Sequence, residues 1–239
     1  MLRTEPTKKP PLPHCGMNCD TKLSKKLEKY PLIDDLFNKT STNLVIGRPG
    51  SGKSSWLYSI LMGPLRKKFH TIYVFMPRAS MMSMKDPIYE SLPEDQKFDE
   101  LNLENLTYVF DRIKQEDRLY NNCIICDDQA AFLKNKEIAK LMKELMFNKR
   151  HMKCSLFFCV QTFFSCPKDA LRRSFDNLVL FKCSKDELKN IFEELIESKA
   201  QYRDEISELV FNEPYKFLAC NLINQNMYDS WDKIIFVDK

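Results

Sequence analysis

A glycine-rich turn between an apolar segment and a helix-forming segment constrains this chain more than any other feature. The stretch NLVIGRPGSGKSSW covers residues 43–56 and contains the spacing Gly47-x4-Gly52-Lys53-Ser54. Glycines at such positions let the backbone turn its N–H groups towards an anion, and the helix that follows presents its positive end to the same anion. The spacing is that of a phosphate-binding loop, and it predicts a strand, a loop and a helix in this order.

The loop predicts a nucleotide site that is built mainly from backbone groups. Its residues are Gly47, Arg48, Pro49, Gly50, Ser51, Gly52, Lys53, Ser54 and Ser55. We expect Lys53 to reach the β- and γ-phosphates and the Ser54 hydroxyl to ligate Mg2+. The loop alone leaves open whether the chain is a kinase, a GTPase, a helicase or a motor.

An apolar segment that ends in two acids supplies the second half of the predicted site. In CIICDDQ, Asp127 and Asp128 follow four apolar residues, and Asp127 comes 74 residues after Lys53. A phosphate-loop NTPase needs a carboxylate on the metal side, at the carboxyl end of a second strand. We therefore assign Asp127 to the Mg2+ shell and Asp128 to activating or positioning the attacking water. A strand-end turn with two solvated acids is the alternative.

Two polar residues frame the next apolar segment. LFFCVQT ends in Gln161, an amide expected beside the γ-phosphate, where it senses hydrolysis or orients water; an amide that bonds only to loop backbone is the alternative. Arg150 ends the amphipathic helix before this segment, far from its own loop. It is therefore a candidate arginine finger for a neighbouring subunit, with a cation that complements the helix dipole as the alternative. Arg172 and Arg173 are competing candidates.

Apolar segments alternate with helical patterns over most of the chain. Strands are predicted at residues 43–46, 71–75, 106–110, 123–126, 155–160, 177–181 and 216–221. Helices are predicted over 54–61, around 138–146, and from a Ser184–Glu187 capping box to 196. This alternation predicts an α/β fold, a P-loop NTPase with a mostly parallel central sheet flanked by helices.

Composition suggests a short arm followed by one domain. Residues 1–29 are rich in Pro and Lys and predict a flexible basic arm; with seven Lys and Arg against three acids, it accounts for the net charge of +4. Residues 30–239 are predicted to form a P-loop ATPase domain, with an excursion at 76–105 and a C-terminal extension at 201–239. The longest uncharged run is too short to span a bilayer, so no membrane span is predicted.

Other patterns discriminate between classes of phosphate-loop protein. NKTS, NKEI and NKRH all lack the final Asp of the Asn-Lys-x-Asp motif that GTPases use, which argues against a GTPase. A nucleotide or nucleoside kinase stays open, because LRRSF is compatible with an arginine-rich lid, although a kinase has less use for an acid that activates water. A nucleotide-dependent scaffold that does not hydrolyse ATP is a third hypothesis.

The order of GRPGSGKSS, IICDDQ, NKRH, FFCVQT and LRRSFDNLVLF resembles that of the poxvirus-type genome-packaging ATPases. These belong to the FtsK–HerA superfamily (RecA/FtsK–HerA-like fold) and occur across nucleocytoplasmic large DNA viruses. The resemblance runs from about residue 43 to residue 192. It implies a homo-oligomeric ring that uses ATP to translocate double-stranded DNA, without sequence specificity, into a capsid.

The resemblance also implies roles for single residues. Nucleotide binding falls to residues 47–54, metal binding to Ser54 and Asp127, water activation to Asp128, hydrolysis sensing to Gln161 and the arginine finger to Arg150. The second acid of the family is often Glu, and Asp128 is shorter by one methylene.

Partners and location follow from the same resemblance. It implies capsid proteins as partners and an intracellular location, in the host cytoplasm at virion assembly sites and also in the virion. An odd count of nine Cys is typical of a reducing compartment. Lys85 in the excursion is a candidate DNA contact, whereas the acids around it favour a subunit contact or a plain surface.

Overall fold

A computed structural model describes residues 2–5, 7–8, 30–37, 39–82, 91–116, 120–166 and 171–236. The strands are β1 Leu2–Glu5, β2 Thr42–Ile46, β3 Thr71–Phe75, β4 Lys97–Phe98, β5 Asn122–Asp127, β6 Cys154–Val160, β7 Asn177–Phe181, β8 Phe217–Asn221, β9 Met227–Asp229 and β10 Asp232–Phe236. The α-helices are α1 Pro31–Phe37, α2 Lys53–Met62, α3 Arg78–Met82, α4 Leu103–Gln115, α5 Lys136–Asn148, α6 Lys185–Leu195 and α7 Arg203–Val210.

The strands form one sheet in the order β1-β10-β9-β8-β7-β2-β6-β5-β3-β4. The strands from β7 to β4 run parallel, and those from β8 to β1 run antiparallel to their neighbours. Parallel strands all end at the same edge, which we call the carboxyl edge; the opposite edge, where they begin, is the amino edge. The loops after β2, β5 and β6 therefore meet at the carboxyl edge, with β6 between β2 and β5.

Helices cover both faces of the parallel half, which is why its strands are apolar on both sides. Leu44 and Ile46 of β2 point into the core under α4, α5, α6 and α7, whereas Val45 points into the core under α1 and α2. This is the alternation of period two that strand geometry requires. The predicted α/β class with a mostly parallel sheet is confirmed, and β2, which carries the loop, is paired on both sides, with β6 and β7.

The strand predicted at residues 106–110 is wrong, because this segment lies inside helix α4. Its buried residues are Leu106, Val109, Phe110 and Ile113, which is the i, i+3, i+4, i+7 spacing of a helix face. Asn102 starts the helix by accepting a hydrogen bond from the Asn105 N–H at 2.8 Å. Five residues taken alone are too few to show this longer period.

The other predicted elements exist, with ends that differ by a few residues. Ser184 does cap α6, accepting from the Glu187 N–H at 3.3 Å. The other half of the predicted capping box is wrong, because the Glu187 carboxylate accepts a hydrogen bond from the Phe163 N–H instead. Glu187 thus ties α6 to the loop that follows β6.

The two ends of the chain complete the sheet. The structure differs from the predicted flexible arm at Leu2–Glu5, which form β1 against β10, because the edge of β10 offers unpaired backbone groups to a partner. Residues 9–29 lie outside the described residues, so the arm stays a prediction there. The extension at 201–239 contributes helix α7, which packs on one face of the sheet, and strands β8–β10 of the sheet itself.

The excursion at 76–105 holds α3, β4 and the first turn of α4, and β4 extends the parallel sheet beside β3. Lys85 lies outside the described residues. In the described part of the chain, no helix has both the length and the hydrophobicity needed to cross a bilayer.

Candidate nucleotide-binding site

The loop between β2 and α2 has the backbone of a phosphate cradle. Gly50 and Gly52 have φ angles of +75° and +96°, in the left-handed region that favours glycine. A Cβ at Gly47 would lie 2.5 Å from the Ser51 Oγ and 2.8 Å from the Phe181 Cβ, so only glycine fits there. The Gly47 N–H donates to the Val160 carbonyl at 3.2 Å, which fixes the start of the loop against β6.

Two polar side chains of the loop have few or no partners within the described structure. The Ser51 Oγ is buried and has no hydrogen-bond partner in the described structure. The buried Lys53 ammonium donates only to the Arg48 carbonyl, at 3.3 Å, within the described part of the chain. Helix α2 begins after Gly52, which offers no side-chain cap to its first N–H groups. Donors without protein acceptors suit an oxyanion, so the loop fits the phosphates of a nucleotide.

Ser54 and Asp127 meet as the sequence predicts. The Ser54 Oγ donates to the Asp127 Oδ2 at 2.8 Å, which joins the start of α2 to the end of β5 across β6. Asp127 is only 3% exposed. Its pKa is raised to about 6, chiefly by burial and in part by the nearby Asp128 carboxylate, against the lowering effects of the Ser54 hydroxyl and the Lys53 ammonium. A divalent cation at this carboxylate would favour its ionised form.

The oxygen ligands present, from Ser54 and Asp127, fit a magnesium ion that is shared with a nucleotide. Among the described residues, no cluster of three or more His, Cys, Asp or Glu side chains could hold a metal by itself. Mg2+ commonly keeps several waters and takes one or two protein oxygens together with substrate phosphates. Ser54 and Asp127 supply that number of oxygens next to the loop.

Asp128 and Gln161 form a pair at the carboxyl edge. The Gln161 Nε2 donates to both carboxylate oxygens of Asp128, at 2.9 and 3.1 Å. Asp128 has a φ of +58°, an unusual conformation for a residue other than glycine, and its N–H donates to the Cys159 carbonyl at 3.1 Å. That conformation turns Asp128 out of the sheet, so its carboxylate is exposed beside the buried Asp127.

Arg150 lies at the amino edge, in the turn between α5 and β6. It is exposed and borders a small cavity of about 270 Å³ together with Lys39, Lys68 and Lys153. The seven residues of β6 separate this turn from the carboxyl edge, which is roughly 20 Å at about 3.3 Å per residue. Arg150 is therefore remote from the loop of its own chain.

The competing arginines differ from each other. Arg172 is 4% exposed, its Nε donates to the Cys166 carbonyl at 2.8 Å, and its guanidinium pairs with Glu194 at 3.3 Å. Arg172 is thus a buried structural residue, and its candidacy as an arginine finger or as part of a lid is wrong. Arg173 is exposed and stays a candidate.

Tyr215 is a candidate site residue that no sequence pattern predicts. It precedes β8 at the carboxyl edge, is 73% exposed, and has a φ of +63°. Its Cδ1 lies 3.4 Å from the position that a Cβ at Gly52 would take. An exposed aromatic ring in a conformation that bulky residues rarely adopt offers a flat apolar surface beside the loop. Nothing in the sequence EPYKF marks its distance from Gly52, since the two residues meet only in the fold.

These features define a class of protein. The loop follows one parallel strand, the acids lie at the end of a second strand two positions away, and a polar strand tip lies between them. This is an arrangement of P-loop NTPases. Residues 28–210 match the model of a family described as the Poxvirus A32 protein. The chain belongs to this family, as the order of its motifs predicts, and is thus a viral genome-packaging ATPase.

Solved structures share the fold at low identity. The genome packaging NTPase B204 from Sulfolobus turreted icosahedral virus 2, in complex with AMP, is 17% identical at a TM-score of 0.61, covering 79% of this chain and 96% of that chain. The same protein in complex with ATP-gammaS is 15% identical at 0.59, covering 79% and 95%. The pCW3 conjugation coupling protein TcpA with ATPgS is 15% identical at 0.57, covering 81% and 61%. No curated protein matches the chain.

Proposed function

We propose that this chain binds ATP with Mg2+ at the carboxyl edge and couples its hydrolysis to translocation of double-stranded DNA into a capsid. The hydrogen bond between Ser54 and Asp127 at 2.8 Å carries this proposal, because it brings the phosphate loop and the β5 acid to one point. Membership of the packaging-ATPase family and the complexes of B204 with AMP and ATP-gammaS support it.

Residues 47–55 would hold the triphosphate. Backbone N–H groups of the loop and the free start of α2 would bind its oxygens, with Lys53 as the cation closest to them. The Ser51 hydroxyl, buried without a partner, would donate to a phosphate oxygen. Tyr215 would stack on the base, since its ring lies beside Gly52 and away from the acids. Ser54 and Asp127 would hold Mg2+, which when bound neutralises charge on the phosphates.

Asp128 and Gln161 would position the attacking water. The exposed Asp128 carboxylate is the acceptor for a proton of that water, while Gln161 holds the carboxylate in place through its two hydrogen bonds. Gln161 would exchange these bonds for one to water or phosphate as the reaction proceeds. Its position between the loop and the β5 acids supports the sensing role proposed for it.

A homo-oligomeric ring would give Arg150 its role. Because Arg150 lies at the amino edge of its own sheet, it could reach a nucleotide only in a neighbouring subunit, where it would stabilise charge in the transition state. Capsid proteins would be the docking partners of the ring. We further propose that the chain acts in the host cytoplasm at virion assembly sites and is retained in the virion.

Subunit mixing tests the ring. Arg150→Ala subunits combined with Asp128→Asn subunits should recover ATP hydrolysis, because some interfaces then hold an intact Asp128 and an intact Arg150 from different chains. Arg173→Ala mixed with Asp128→Asn is the matched comparison. Recovery only in the mixture that contains Arg173→Ala subunits would identify Arg173 as the arginine finger. If neither mixture recovers hydrolysis, neither arginine acts on the nucleotide of a neighbouring subunit.

Steady-state ATP hydrolysis with and without long duplex DNA, over a range of salt, tests the function itself. We expect DNA to stimulate hydrolysis and the stimulation to fade as salt rises, because binding to the DNA phosphates releases counterions. Phosphate transfer to a small acceptor in place of water would instead identify a kinase, and tight ATP binding without turnover would identify a scaffold.

A further inference from the structure

A basic groove opens at the carboxyl edge, beyond the acids and outside the nucleotide site. It is a cavity of about 740 Å³ between α5 and the loop that follows β6. The groove is lined by four lysines and by an exposed phenylalanine, namely Lys134, Lys136, Lys140, Lys143 and Phe164. Its wall contains no Asp or Glu among the described residues.

The charge of the groove is available to a partner. Lys134, Lys136 and Lys140 are exposed and form no ion pair within the described part of the chain. The one arginine of the wall, Arg172, is already neutralised by Glu194. Unpaired cations held together on one surface repel each other, and an anionic partner relieves that repulsion.

The lysines are arranged in a row. Lys136, Lys140 and Lys143 occupy positions i, i+4 and i+7 of α5, so they lie on one face of the helix. The row spans roughly 10 Å at about 1.5 Å per residue. One strand of duplex DNA presents a phosphate about every 3.4 Å of helix axis, so the row matches a short run of phosphates better than a single anion.

The groove is joined to the catalytic acids by two short loops. Lys134 follows Asp128 by six residues, and Phe164 follows Gln161 by three. Both loops are anchored: the Gln129 side chain is buried and bonds to the Leu101 N–H at 2.8 Å, and the Phe163 N–H donates to Glu187. The Asp128–Gln161 pair and both walls of the groove therefore lie on the same two anchored loops.

We propose that this groove binds the phosphate backbone of duplex DNA and that its two walls couple DNA binding to the state of the Asp128–Gln161 pair. This inference rests on the proposed function and assigns DNA binding to α5 and the loops at its end. The excursion fits this role less well, because its described part carries Glu94, Asp95, Asp99 and Glu100.

Charge-removing variants test the groove. The groove variant is Lys134→Gln/Lys136→Gln/Lys140→Gln, and the control is Lys67→Gln/Lys185→Gln/Lys189→Gln, which removes the same charge from exposed lysines elsewhere. Binding of a fluorescent 40-base-pair duplex would be followed by anisotropy, with a non-hydrolysable ATP analogue, across a salt series. Hydrolysis without DNA would be measured for both variants as a check of folding and of the nucleotide site.

We expect the groove variant to bind DNA at least about tenfold more weakly than wild type at low salt, with a salt slope shallower by about 0.9 for each DNA phosphate that it no longer neutralises. Its hydrolysis without DNA should match wild type, and DNA should no longer stimulate it. If the groove variant keeps the affinity and slope of the control, DNA binds elsewhere and the groove assignment is overturned. If wild type itself neither binds duplex DNA nor is stimulated by it, the proposed function fails together with the groove.

Discussion

The two edges of the parallel sheet hold polar clusters of opposite kinds. At the amino edge, the polar side chains around Asp176 bond to each other and to the backbone. At the carboxyl edge, cations, hydroxyls and carboxylates are gathered with few protein partners. The same strands support both clusters, so the difference reports what each cluster is for: the polar cluster around Asp176 at the amino edge is closed and structural, and the cluster at the carboxyl edge is left open for a ligand.

The amino-edge cluster centres on Asp176. Its carboxylate accepts from the Thr42 N–H at 2.7 Å, from the Thr42 Oγ1 at 2.9 Å and from the Lys149 ammonium at 2.7 Å. Nearby, the Asn177 side chain bonds to Asn43 at 2.8 Å and to the Leu36 carbonyl at 2.6 Å. These bonds join the starts of β2 and β7 to the end of α5 and to α1, so each of these polar groups is satisfied within the protein.

In the carboxyl-edge cluster, the polar groups have fewer hydrogen-bond partners within the described structure. Lys53 bonds to one carbonyl within the described structure, the Ser51 hydroxyl has no partner there, and Asp127 is buried with a raised pKa. Buried polar groups without partners cost stability unless a ligand completes them. Functional sites commonly carry such a cost, and substitutions there tend to lower activity more than stability.

The largest expected effect comes from Lys53→Ala. Removing the cation that faces the triphosphate should lower ATP hydrolysis by roughly 1000-fold, in the range seen when one preorganised electrostatic interaction with a transition state is removed. The free energy of unfolding without nucleotide should change little, because the ammonium has a single carbonyl partner. Chemical denaturation and steady-state kinetics measure the two quantities, with Lys189→Ala as the exposed-lysine control. A large loss of stability would show that Lys53 is a structural residue and that the two edges do not differ in the way described.

The opposite result is expected for Asp176→Ala at the amino edge. It leaves the largely buried Lys149 and the Thr42 N–H without their acceptor, and the unfolding free energy should fall by about 3 kcal/mol, which is typical of breaking a buried pair. The Michaelis constant for ATP should stay within about twofold of wild type below the melting temperature, because the cluster lies at the far edge of the sheet. Urea denaturation checks the first value, and Asp111→Ala on the exposed face of α4 is the control.

Much of the carboxyl-edge site is predictable from the sequence, because it is built from short local motifs. Two short motifs of consecutive residues predict its chemistry. They are the loop around Gly50 and Gly52 and the two acids at the end of β5. The sequence predicts Asp128 and Gln161 at the ends of two strands. In the structure, the two side chains lie close enough to form a hydrogen bond. Parallel strands place such ends at one edge regardless of the details of packing.

The remainder depends on contacts between distant segments. Nothing near Arg172 in the sequence reveals the Glu194 that neutralises it, and nothing near Tyr215 reveals Gly52. The helix at residues 103–115 resembles a strand in sequence because residues 106–110 are apolar enough for either structure. Partner choice and burial are properties of the fold, so local patterns do not contain them.

A smaller effect is expected from Asp128→Asn, which keeps the shape of the side chain and removes its charge. Turnover should fall by roughly 100-fold, as for a group that accepts a proton from water, while ATP affinity stays close to wild type. Gln161→Ala should lower turnover less. Because the two side chains bond to each other, the double variant should lose less than the product of the two single effects. Fully independent effects would show that the pair does not act as a unit.

The smallest expected effect is that of Tyr215→Ala, which tests an exposed part of the carboxyl edge. Losing a stacking surface for one base costs about 1 kcal/mol, so ATP should bind roughly fivefold to tenfold more weakly. Tyr215→Phe keeps the ring and should bind ATP like wild type, which separates stacking from any role of the hydroxyl. Titration with a fluorescent ATP analogue gives the affinities, and inorganic triphosphate serves as the ligand without a base. If Tyr215→Ala weakens triphosphate and ATP equally, Tyr215 supports the loop around Gly52 rather than the base, and its exposed ring must then be explained by an interaction with another molecule.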